Sequence, residues 1–74
     1  MARLPRVTAK QMSLVLERLG FARVRQSGSH AIYRNDHGLR ATVPMHTGAV
    51  LHPKTIKTIL KDAGISADQL RKMI

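Results

Sequence analysis

The residues of this chain most suited to chemistry are the tetrapeptide Ser27, Gly28, Ser29, His30 and the arginines around it, Arg23, Arg25 and Arg34. Imidazole is the one side chain whose unperturbed pKa, about 6.5, lets it both take and give a proton near neutrality. A histidine beside a tight turn in a cationic field suits work on a phosphodiester. It can accept the proton of an attacking hydroxyl while cations stabilise the charge growing on the phosphate oxygens. A lone histidine is more often an ordinary strand-end residue, so its neighbours must carry the argument.

Three further histidines, His37, His46 and His52, are spread along the chain. His46 is the candidate general acid, because a loop just past a third strand approaches the start of the second. His37 falls in a hairpin turn. His52 precedes Pro53 and is expected to mark a helix entry without chemical work. No two histidines stand four apart on a helix and there is no cysteine, so no metal, cofactor, disulfide or thiol chemistry is expected.

The balance of 13 Lys+Arg against 4 Asp+Glu, a net charge of +9, points to a polyanionic partner, since neutralising phosphates releases condensed counterions. With one Tyr and one Phe the chain cannot offer a broad aromatic platform, so RNA contact should be mainly electrostatic. Arg23, Arg25 and Arg34 are candidates for the phosphate. Lys54, Lys57 and Lys61 follow at i, i+3, i+7 on a second helix, and Gly28 and Ser29, where a Ser27–Gly28 turn leads into the second strand, complete the candidate RNA contacts. No stretch approaches the roughly 18 apolar residues of a membrane span, and the basic start, Met1 to Arg6, leads into no signal-type apolar core. A soluble, cytoplasmic protein with no membrane partner is expected.

These side chains need a scaffold, and 74 residues suffice for one domain, 1–74, with a small core. Thr8 with Gln11 is a capping-box signature, and Met12, Val15, Leu16 and Leu19 follow helical spacing, predicting a helix over 9–19 that stops at Gly20. The period then changes to two. Ala22 and Val24 alternate with Arg23 and Arg25; a second strand runs over 29–34; a third runs over 39–43 and turns Leu39, Ala41 and Val43 to one face. Pro44 should end the ladder, and 45–52 should form a loop containing Gly48. Pro53 opens a second helix with Ile56, Ile59, Leu60 and Ala63 on its apolar face, stopping at Gly64. Ser66 and Gln69 predict a short C-terminal helix that frays. The expected class is α+β, in the order α-β-β-β-α: a three-stranded antiparallel sheet with both helices on one face.

This order resembles the double-stranded RNA-binding fold (dsRBD-like), and the sequence resembles the HicA family of small toxins. The resemblance is carried by Leu19, Gly20, Phe21; by Gly28, Ser29, His30 with Ile32 and Tyr33; by Val43, Pro44 and His46; and by Thr55 with Ile59 through Ile65. It implies a toxin of a toxin–antitoxin pair, an mRNA interferase (an endoribonuclease) with His30 as its essential histidine, and a HicB-type antitoxin partner beside the mRNA substrate. The family often has Gly before the Thr that opens the second helix, whereas Lys54 precedes Thr55 here. The alternative reading is a non-catalytic RNA-binding module, which charge and fold would serve equally. A purely structural protein-binding module is disfavoured by the net charge.

Overall fold

A computed structural model describes residues 4–46 and 49–74. The first three residues of the basic start, and Gly48 of the expected loop, lie outside the described residues. The elements are α1 (Ala9–Arg18), β1 (Ala22–Ser27), β2 (His30–Arg34), β3 (Arg40–Pro44), α2 (Pro53–Ala63) and α3 (Ala67–Met73). The strands form one antiparallel sheet in the order β1-β2-β3, which is the expected α+β meander.

Local signals set most of the boundaries. The Thr8 hydroxyl accepts the Gln11 N–H while the Gln11 side chain accepts the Thr8 N–H, closing both ends of the capping box. At the other end Gly20, at φ +94°, lets the Phe21 N–H reach the Leu16 carbonyl at 2.9 Å, the reversal that aims Phe21 into the core. The helix proper ends at Arg18, with Leu19 as its cap. Ser66 and Gln69 repeat the box ahead of α3. Leu70 is fully buried and Arg18 donates to the Met73 carbonyl, so α3 is docked where fraying was expected.

Three strand limits differ from the sequence expectation: β2 starts at His30 and not at Ser29, because Ser27 pairs with His30 and leaves Ser29 in the turn, and β3 is displaced at both ends. Asn35 closes the β2–β3 turn: its side-chain oxygen accepts the His37 and Leu39 N–H groups, and its own N–H donates to the Leu39 carbonyl. Leu39 is therefore held in the loop, 41% exposed, and β3 starts at Arg40. Pro44 does not stop the ladder short. It is the last β3 residue and sits opposite His30, on an edge strand where its missing N–H costs nothing.

Ala31 and Tyr33 of β2 and Ala41 and Val43 of β3 face inward and are buried. Against them pack Met12, Val15 and Leu16 of α1 and Ile56, Ile59 and Leu60 of α2, with Phe21, Leu51 and Leu70 closing the periphery. Thr8 bridges to Val50, and the Leu51 N–H donates to the Val7 carbonyl at 2.8 Å. This link clamps the segments entering the two helices side by side, which fixes where α2 begins.

Candidate active site

His30 is the first residue of β2, and the turn before it has two residues, Gly28 and Ser29, between the paired Ser27 and His30. Gly28 has φ +59° and no non-glycine residue among those described takes positive φ, so within this turn Gly28 and not Ser29 supplies the left-handed step. A glycine at the first central position is what a type II′ hairpin turn requires, and that turn matches the strand twist. A Cβ on Gly28 would meet nothing within 4 Å, so the demand is conformational and not one of space.

Parity places His30 on the outer face of the sheet with Ile32 and Arg34, opposite Pro44, Thr42 and Arg40 of β3. His30 is exposed and Ile32 half-buried. Because α2 packs chiefly on the edge strand β3, one flank of that helix reaches the outer face. A groove results, lined by His30, Thr42, Pro44, Lys54, Thr55 and Thr58. A second depression shares His30, Pro44 and Thr55 and adds His46 and His52. Neither is lined by an acidic side chain.

His46 owes its place to the loop following β3. The Met45 N–H donates to the Ser29 carbonyl, and the Met45 sulfur receives the hydroxyl of the buried Ser13 at 3.6 Å. With Met45 anchored, the exposed His46 is held beside the Gly28–Ser29 turn. His52 is the N-cap of α2: its Nδ1 accepts the Lys54 N–H at 3.1 Å. That bond requires Nδ1 to be unprotonated, so in the neutral ring the proton sits on Nε2.

The arginines do not form the single set that strict alternation implies. The pairing of β1 with β2 shifts between Arg23 and Arg25, which makes Val24 the extra residue of a β-bulge. Arg25 pairs with Ile32 and so shares the outer face with His30 and Arg34. Arg23 pairs with the inward-facing Tyr33 and donates to Gln26 at 3.3 Å. Without the bulge, Arg23 and Arg25 would share a face. Of the α2 lysines, Lys54 lines the His30 groove; Lys57 and Lys61 are exposed and line neither depression.

Sequence reasoning passed over Arg40 as a site residue; it placed His52 at the helix entry, where it stands, but gave neither its capping bond nor its place beside His30. Arg40 could have been found by counting back across the Asn35–Leu39 turn to its partner Arg34. His52 gave only the signal of a polar residue ahead of a Pro-initiated helix. Among the described residues no three of His, Cys, Asp or Glu are grouped to hold a metal ion. Among the same residues no helix is long and apolar enough to cross a membrane.

No individual curated protein matches the chain. The family model for the HicA toxin of bacterial toxin–antitoxin pairs matches residues 9–65, from the first residue of α1 to just past the end of α2. That span contains His30, His46 and every strand of the sheet, and the chain belongs to the HicA toxin family.

Proposed function

We propose that this toxin is a metal-independent endoribonuclease that cleaves mRNA in the cytoplasm, and that the chain acts as one domain. His30 removes the proton of a ribose 2′-hydroxyl; the oxygen attacks the adjacent phosphorus; the bond to the 5′-oxygen breaks. His46 supplies the proton that the departing 5′-oxygen needs. The products are a 2′,3′-cyclic phosphate and a 5′-hydroxyl, and the two histidines exchange one proton each.

The observation that carries this reading is that His30 and His46 line one open depression, with Lys54 on the adjoining groove. A single general base contributes about 10² to 10⁴-fold, less than the roughly 10⁶-fold or more of typical enzymes. Electrostatic stabilisation of the phosphate must supply much of the rest, from Lys54 on the His30 groove and from the longer-range field of Arg25 and Arg34 on the same sheet face. A HicB-type antitoxin is the expected partner; to silence the toxin it would cover His30 and set acidic side chains against these cations.

The test is a cleavage assay on purified protein in chelator. Wild type should cut single-stranded RNA, and His30→Ala should not, while keeping its fold. Cleavage by His30→Ala, or activity that needs added magnesium, would overturn the reading.

A further inference from the structure

The outer sheet face carries another depression farther along β2 from His30. Its floor is the half-buried Ile32 and the bulge residue Val24, 58% exposed; its rim is Arg25, Arg34 and Arg40. Register assembles it, with Arg25 opposite Ile32 and Arg40 opposite Arg34. Like charges directly opposed on neighbouring strands are destabilising. No carboxylate among the described residues pairs with any of the three. An uncompensated ring of guanidiniums around an aliphatic floor suits a ligand that is itself part anion and part flat apolar surface.

We infer that this depression is a subsite for one nucleotide of single-stranded RNA. The base packs on Ile32 and Val24 and stacks against guanidinium planes, while the fork-shaped donors of Arg25, Arg34 and Arg40 hold its phosphates. The inference rests on the ribonuclease reading and adds the path of the substrate. At roughly 3.3 Å per residue, Ile32 and Arg34 lie about 6.6 Å and about 13 Å along the strand from His30, within reach of nucleotides flanking the cleaved bond. The RNA then crosses the open face of the sheet, from the arginine rim to the His30 groove. The strand must be unpaired there, because a base inside a duplex has both faces stacked and cannot lie on the floor.

The experiment uses His30→Ala protein, so that RNA stays intact, and a fluorescently labelled single-stranded oligoribonucleotide titrated at several salt concentrations. Arg25→Gln and Arg40→Gln should each flatten the slope of log affinity against log salt by about 0.7, the single-strand value per phosphate contact. Lys72→Gln, on α3, serves as the comparison and should leave the slope alone. Moving an abasic site along the oligonucleotide should weaken binding about tenfold at one position, and Ile32→Thr should erase that difference. Unchanged slopes in both arginine variants, equal affinity for intact and abasic oligonucleotides, or tighter binding of a duplex of equal length each overturns the subsite. Wild-type cleavage would survive any of those results. A wild type that neither binds nor cleaves RNA overturns the ribonuclease reading and the subsite together.

Discussion

The Ser29 carbonyl accepts the Met45 backbone N–H, one step beyond the last ladder pair, His30 with Pro44. Pairing between β2 and β3 therefore continues into the turn that precedes β2 and into the loop that follows β3. The consequence is local to the site: the two segments bearing His30 and His46 are tied together by backbone, independently of either imidazole.

His46→Ala should therefore slow cleavage by about 10² to 10⁴-fold, the range for a general acid, without unfolding the protein. His46 is exposed, and the Met45 contacts that hold its loop do not involve its ring. Single-turnover cleavage together with a thermal melt checks this. A substrate whose 5′-oxygen is replaced by sulfur, a leaving group that needs no acid, should recover most of the loss.

Gly28→Ala forces an L-residue into φ +59° and should cost about 1–2 kcal/mol. For a domain of this size that corresponds to a fall in Tm of very roughly 4–16 °C. Gly28→Asn, which tolerates the left-handed region better, should lose less. Melts of the three proteins decide whether backbone conformation at the turn limits stability.

The parts of this protein that were legible in its sequence are those fixed by neighbours in the chain. Thr8 with Gln11, Ser66 with Gln69, Pro53 and Gly64 each act over a few residues, and each stands where spacing placed it. His30 was legible for the same reason, as a strand residue just past a glycine turn, although the turn, Gly28–Ser29, falls one residue later than the Ser27–Gly28 that the sequence suggests. The bulge at Val24 was not, because an extra residue in an edge strand is revealed only by what stands opposite it, and it decides that Arg25 but not Arg23 shares a face with His30. The convergence of His46 and His52 on His30 depends on Thr8 bridging to Val50 and on the Ser29–Met45 bond, contacts between distant segments that leave no periodic trace.

His52→Ala should destabilise the protein by about 1 kcal/mol, since the first turn of α2 loses the acceptor for the Lys54 N–H. His52→Asn restores an N-cap acceptor and should recover most of that stability. Urea unfolding and single-turnover cleavage measured on the pair separate capping from any contribution of the ring to cleavage. If both variants match wild type in stability, the cap is energetically idle.

Lys54 should behave differently from Lys57 and Lys61, although all three fall on one spacing pattern. Lys57 is turned about 60° from Lys54 around the helix, away from Thr55 and Thr58 of the groove, and Lys61 lies about 10 Å farther along the axis at 1.5 Å per residue. Lys54 alone lines the groove with His30. It also stands in the first turn of a helix that has no acidic residue there, where a positive charge opposes the helix dipole. Its presence is unfavourable for folding, so Lys54→Gln should raise stability by about 0.3–1 kcal/mol while weakening RNA binding and slowing cleavage. Lys57→Gln and Lys61→Gln should move neither quantity comparably. Opposite signs in stability and activity at one position would mark Lys54 as a residue retained for the substrate; equal losses of RNA affinity for all three lysines would mean that the RNA runs along the whole polar face of α2.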